Sequence, residues 1–229
     1  YGQLAKMDLI KKIASRHNLI TIEDCAQSHG VINNGFSAGT FSDASAFSFY
    51  PSKNLGAFGD AGAIITNNKT VEKICKVIRN YGSEKKNHNK VLGVNSRLDE
   101  IQAAILNVKL KYLDKENIIR RKVALKYINE IKNEKILLPK TINNQDHVYH
   151  LFVIRTKFRD KLKDYLYNAG VETLIHYSIA PHKQPALHQY NHLKLPITEL
   201  IHKQVLSLPC NPWLSTKDQD FIIKVCNDF

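Results

Sequence analysis

The apolar positions Leu4, Leu9, Ile10, Ile13 and Ala14 fall at near-helical spacing, and Asn18 closes that stretch before the apolar run Leu19-Ile20-Thr21-Ile22. This pattern predicts a helix followed by a buried strand. Ala44-Ser45-Ala46-Phe47-Ser48-Phe49 and Ala63-Ile64-Ile65-Thr66 read as two further strands, with Thr70 capping a helix that carries Val71, Ile74, Cys75 and Ile78. From Arg97 to about Ile131, Leu98, Ile101, Ala104, Ile105, Val108 and Leu113 trace one face of a long helix with one kink or break. After Pro139 the polar stretch Asn143-Asn144-Gln145-Asp146 leads into the strand-like Tyr149-His150-Leu151-Phe152-Val153-Ile154 and a helix near Asp160 to Asn168, stopped at Gly170. Val171 to Tyr177 reads as another strand. Ser215-Thr216-Lys217-Asp218 resembles a capping box opening a last helix through Phe221, Ile222 and Val225. The expected organisation is α/β in two parts, residues 1–131 including the long connecting helix and a smaller α/β domain over 132–229.

Composition narrows the class. With 43% apolar and 24% charged residues, a chain of 229 residues can bury a core, and wholesale disorder is not expected. No run approaches the roughly 20 apolar residues that cross a bilayer, so no membrane partner is expected. The opening Tyr1-Gly2-Gln3-Leu4-Ala5-Lys6 is neither a signal peptide nor a start methionine, and the chain is expected to begin mid-protein. Cys25, Cys75, Cys210 and Cys226 are far apart with no CxxC pair, which fits a reducing, cytoplasmic setting. The formal charge of +12 favours anionic partners. The basic cluster from Glu84 to Lys90 carries no interleaved aromatics, so nucleic acid is not the expected partner.

Two stretches carry candidate chemistry. In Ile22-Glu23-Asp24-Cys25-Ala26-Gln27-Ser28-His29-Gly30, Asp24 appears where an apolar strand runs out, and open α/β sheets bind ligands beyond the carboxyl ends of their strands. A loop acid satisfied by nearby amides is the plainer alternative. In Phe47-Ser48-Phe49-Tyr50-Pro51-Ser52-Lys53-Asn54-Leu55-Gly56-Ala57-Phe58-Gly59-Asp60 a strand ends in a lysine among hydroxyls, proline and glycines. A partly desolvated amine there can condense with an aldehyde; a surface lysine on a turn is the alternative. Together, the acid and the lysine match what a pyridoxal phosphate enzyme asks of its protein: a carboxylate for the ring nitrogen and an amine for the aldehyde.

These residues resemble the sugar aminotransferases of the DegT/DnrJ/EryC1/StrS group, within the aspartate aminotransferase fold (fold type I, PLP-dependent transferases). Besides the two stretches above, the resemblance rests on Arg79-Asn80-Tyr81-Gly82, on Gly93-Val94-Asn95-Ser96-Arg97-Leu98-Asp99-Glu100-Ile101-Gln102-Ala103-Ala104 and on Ile175-His176-Tyr177, in that order. It implies pyridoxal 5'-phosphate as cofactor, Lys53 as the Schiff-base lysine, Asp24 as the ring-nitrogen partner, Gln27 beside the phenolic oxygen and Ser48 on the phosphate. Asn95 matches a position that reaches the phosphate of the neighbouring subunit's cofactor, which implies a homodimer with shared sites. Arg97 is a candidate for anion binding, with an intrahelical salt bridge as the alternative. His176 and Tyr177 resemble the segment lining the nucleotide-sugar pocket. In Gly59-Asp60-Ala61-Gly62 an alanine stands where the family pairs glycines. Family members run well past this length, so the chain is expected to lack the amino-terminal portion of the large domain.

The implied activity is transamination of a nucleotide-linked keto-deoxysugar, most like a dTDP-3-keto-6-deoxyhexose, with glutamate as donor, for surface polysaccharides such as O-antigen and lipopolysaccharide. A non-catalytic fragment or dimerising module of the same fold is the alternative. The related dehydratase branch carries histidine at the lysine position, and Lys53 argues against it. His147 with His150, and His188 with His192, have metal-ligand spacing but no third ligand nearby, so no metal is expected.

Overall fold

The computed structural model describes residues 1–33, 35–140 and 146–229; of the polar stretch expected after Pro139, residues 143–145 lie outside the described residues. The chain divides into two units, one comprising residues 2–118 and 143–148 and the other Tyr1, 119–142 and 149–229. The division falls within a helix, thirteen residues before the boundary expected at 131.

In the first unit, helix α1 (Met7–Arg16) precedes strand β1 (Ile22–Asp24). A small antiparallel hairpin, β2 (Ile32–Asn33) and β3 (Phe36–Ser37), then leads to β4 (Ala44–Ser48) and β5 (Gly62–Ile65). The main sheet has the order β1-β4-β5: β1 runs parallel to β4, with Asp24 opposite Ala46, and β5 is antiparallel to β4. The apolar run was expected to be strand from Leu19. Its ladder begins at Ile22, and Ile20 and Ile22 are 84% and 75% exposed; among the described residues β4 is the one strand that pairs with β1.

Helix α2 (Lys69–Ile78) is capped by Asn68, whose side-chain oxygen accepts from the N–H groups of Thr70 and Val71. The expected cap, Thr70, is already inside the helix, two residues past the cap, where its own N–H is one of the orphan amides that Asn68 serves. A bulged ribbon, β6 (Ser83–Lys85) and β7 (His88–Asn89), follows. The long helical stretch breaks once, as its pattern predicts, into α3 (Glu100–Leu110) and α4 (Leu113–Glu130). It begins at Glu100, and Arg97 precedes it in non-helical backbone. An intrahelical salt bridge from Arg97 is thereby ruled out.

The second unit pairs β8 (Phe152–Arg155) antiparallel with β9 (Val205–Leu208), flanked by α5 (Arg159–Asn168), α6 (Pro196–Gln204) and α7 (Thr216–Asp228). Its core gathers Tyr127, Phe152, Ile154, Leu162, Leu166, Leu206 and Cys226. Burying each such side chain contributes about 1.5–3 kcal/mol, which outweighs the modest propensities of these short elements. Gly170 ends α5 at φ +85°, the conformation a terminating glycine supplies. Ser215 caps α7, its Oγ accepting from the Asp218 N–H at 3.1 Å. The strand expected over Val171 to Tyr177 is reduced to one bridge, Leu174 to Ser207; the segment otherwise folds as turns and open backbone. Residues 171–175 do alternate, with Val171, Thr173 and Ile175 turned inward and Glu172 and Leu174 exposed, but among the described residues only Leu174 finds a ladder partner.

Candidate active site

The strand order fixes where chemistry can occur. Because β1 and β4 are parallel neighbours, Asp24 and Ser48 leave the sheet at the same edge, on strands spaced by about 4.8 Å. Asp24 is exposed; its Oδ1 accepts from the Ala26 N–H at 3.0 Å, which turns the chain at the strand end. Glu23 alternates to the opposite, buried side. Its carboxylate accepts from the N–H groups of Gly39, Phe41 and Ser42 at 3.0, 2.9 and 3.1 Å and from the Ser45 hydroxyl at 3.4 Å. These bonds tie β1 to the loop before β4, and together they replace the water lost by a buried carboxylate.

Beyond β4 the chain doubles back. Phe49 O accepts from the Ala57 N–H and Tyr50 O from the Lys53 N–H, closing a loop that projects Lys53 half-buried. Glycine is required at 56, where a Cβ would sit 2.4 Å from the Pro51 carbonyl oxygen. Ser48 and Lys53 line a cleft of about 1460 Å³, walled also by β5, the Cys75–Arg79 face of α2 and the segment Asn95–Asp99. That last segment is held by backbone bonds from Tyr81 to Val94, from Val94 to Ile78 and from Ser96 to Arg79.

Four of the eight residues singled out in the sequence, Ser48, Lys53, Asn95 and Arg97, therefore meet in one cleft. Asp24, the last residue of β1, and Gln27, on the loop that follows, do not line it. His176 and Tyr177 belong to the second unit, where His176 Nδ1 is 2.8 Å from Ser207 Oγ and the Tyr177 carbonyl is 2.6 Å from His202 Nδ1. Arg97 is oriented by Asn95 Oδ1 at 3.0 Å, by Asn80 Oδ1 at 3.2 Å and by the Tyr81 ring, 5.2 Å from its guanidinium carbon. With neutral oxygens for partners, its charge is left for an anion. An amine for an aldehyde, a hydroxyl for a phosphate and an exposed carboxylate one strand away form a donor set that fits pyridoxal phosphate. Among the described residues, no three His, Cys, Asp or Glu side chains group to hold a metal.

The sequence reading gave no role to Glu23, His29, Asn54 or Asn117. His29 is 2% exposed, its ring tilted against Phe47 and Phe49 at 5.4 and 5.8 Å. Burial, reinforced by the Lys53 charge, pushes its pKa down to about 4 from 6.5. The unfolded chain therefore binds this proton first. Stability is intact above pH 6.5 and falls as pH drops from 6.5 towards 4, by up to about 1.4 kcal/mol per unit. His147, pushed down to about 4 by burial, acts in the same direction. The variant His29→Gln is expected to flatten the dependence of Tm on pH across this window in thermal melts, leaving the His147 contribution; an unchanged slope contradicts this assignment.

The DegT/DnrJ/EryC1/StrS aminotransferase family matches residues 1–227. The chain is 49% identical over 229 residues to the dTDP-3-amino-3,6-dideoxy-alpha-D-galactopyranose transaminase of Aneurinibacillus thermoaerophilus, covering all of this chain and 63% of that protein. It is 42% identical over 217 residues to the dTDP-3-amino-3,4,6-trideoxy-alpha-D-glucose transaminase of Streptomyces venezuelae, covering 93% of this chain and 57% of that one. Among solved structures, S. venezuelae DesV in complex with a ketimine intermediate superposes with a TM-score of 0.95 at 40% identity, over 100% of this chain and 62% of its own. The ntda protein of Bacillus subtilis with bound cofactor pmp gives 0.89 at 34%, over 99% of this chain and 54% of its own. The chain thus spans somewhat under two thirds of the length of these relatives.

Proposed function

Because the chain belongs to the DegT/DnrJ/EryC1/StrS aminotransferase family, we propose that the protein containing it transfers an amino group from glutamate to the keto carbon of a nucleotide-linked deoxysugar, with pyridoxal phosphate as cofactor. The observation that carries this reading is the pairing of strand ends: Asp24 closing β1 and the Ser48–Lys53 loop leaving its parallel neighbour β4 at one sheet edge. Pyridoxal phosphate supplies an aldehyde and an electron-withdrawing ring. Lys53 would hold the group through that aldehyde, and its amine, when free, would take a proton from the substrate carbon and deliver it to the cofactor carbon. Asp24 would keep the ring nitrogen protonated, Gln27 would serve the phenolic oxygen, and Ser48 would donate to the phosphate.

The transaminase relatives that act on dTDP-linked 3-amino sugars support a dTDP-3-keto-6-deoxyhexose as acceptor. The same reading assigns the product to surface polysaccharide and the protein to the cytoplasm. The oriented guanidinium of Arg97 suits a carboxylate or diphosphate, and His176 and Tyr177 are assigned to the sugar. A homodimer with Asn95 completing the partner's phosphate site is supported by exposed apolar side chains of the first unit, Phe58 (76%), Leu92 (98%) and Ile101 (70%).

Borohydride reduction of the full-length gene product loaded with pyridoxal phosphate is expected to leave the pyridoxyl group on Lys53 in peptide mass spectra. With glutamate and a panel of keto-sugar nucleotides, amination is expected on the dTDP-3-keto-6-deoxy members. A colourless protein with no adduct supports instead an inert module of this fold, and adduct formation elsewhere removes Lys53 from its role.

A further inference from the structure

We propose that Asn117 is a positioning residue that sets the spacing between the loop that follows Asp24 and carries Gln27 and the loop carrying Lys53. The proposal rests on the reading of Lys53 and Asp24 given above. Asn117 lies in the first turns of α4, is 1% exposed and does not line the cleft. Its Oδ1 accepts from Asn54 Nδ2 at 2.8 Å, and its Nδ2 donates to the His29 carbonyl at 2.9 Å. Asn54 is the chain neighbour of Lys53; His29 follows Gln27 by two residues. One planar amide thus joins both loops across separations of 63 and 88 residues.

The polarity of this bridge is anchored at both ends. Asn54 Nδ2 also donates to the Val148 carbonyl at 3.2 Å, which fixes the Asn54 amide as donor on that side. Asn117 must then present oxygen to Asn54 and nitrogen to His29. Aspartate can accept from Asn54 but has no donor for the carbonyl, and an apolar side chain has neither. The turn itself is shaped around the amide: Gly30 has φ +74°, and a Cβ there would approach Asn117 Nδ2 to 2.8 Å. A bridge buried this deeply acts on chemistry through geometry, and a misplacement of about 1 Å between reacting groups costs up to about 100-fold in rate.

The test compares wild type, Asn117→Asp and the milder Asn54→Ser in the full-length gene product. In cofactor-free protein, amide hydrogen exchange is expected to rise at least about tenfold in both segments 25–31 and 50–57 of Asn117→Asp, while the exchange of the 152–155 strand stays unchanged. Asn54→Ser is expected to loosen 50–57 alone. Pyridoxal phosphate affinity, read by visible absorbance, is expected to weaken about tenfold in Asn117→Asp, with kcat lowered about 100-fold and KM for glutamate within about threefold. Unchanged exchange in the two loops, a uniform rise over the whole chain, or loosened loops with wild-type cofactor affinity overturns the proposal. If wild type gives no borohydride adduct on Lys53, the catalytic reading fails, and with it the claim that the spacing serves catalysis.

Discussion

Alanine at position 53 is expected to reduce transamination in the full-length gene product by at least about 10⁴-fold. Lys53 carries two duties in the proposed reaction, holding the aldehyde and shuttling the proton, and general acid–base catalysis by one positioned group is alone worth about 10²–10⁴-fold. Alanine removes both without leaving a buried charge behind, because Lys53 is only half-buried and no carboxylate among the described residues lies in ion-pair contact with it. The turn is kept, since the bond from the Lys53 N–H to Tyr50 O belongs to the backbone. Melting temperature is therefore expected to stay within a few degrees of wild type. A small primary amine added to the assay should recover part of the rate by replacing the proton carrier, though not its pre-orientation. Lys53→Ala turning over within tenfold of wild type, measured in the glutamate half-reaction, would remove the lysine from the chemistry.

The placement of Lys53 at a cleft just past a strand was legible from its setting: an apolar strand that runs directly into Tyr50-Pro51-Ser52-Lys53. The same periodicity located α2, the break between α3 and α4, β8 and α7. Where reading failed, the deciding facts were remote in the chain. Leu19 to Ile22 is apolar enough for a central strand, yet among the described residues the ladder begins at Ile22, opposite Ala44, preceded only by the bonds between Thr21 and Asp43. Among the described residues, Val171 to Tyr177 has one ladder partner, the bridge from Leu174 to Ser207. Glu23 looks like a surface acid until the loop at 39–42 folds over it. Asn117 did leave a trace. It follows Leu113 by one helical turn on the buried side of α4, and a polar residue on such a stripe calls for a partner. The partners themselves, Asn54 and His29, could not be named without the fold.

Asparagine at position 24 is expected to lower kcat by about 10²–10³-fold, equivalent to about 3–4 kcal/mol of barrier, with the fold intact. The two duties of this carboxylate are separable. Its Oδ1 accepts the Ala26 N–H that turns the chain, and an asparagine oxygen can do the same. What asparagine lacks is the negative charge that keeps a ring nitrogen protonated, and a neutral ring is a far weaker electron sink. A purely structural Asp24 predicts the reverse ranking: Asp24→Asn near wild type in rate, Asp24→Ala destabilised through loss of the turn bond, which is worth about 1 kcal/mol. The discriminating measurement sets kcat beside Tm for both variants. Loss of rate shared by Asp24→Asn and Asp24→Ala, with Tm lowered only in the alanine variant, ties the charge to catalysis; a wild-type rate in Asp24→Asn reduces Asp24 to a turn residue.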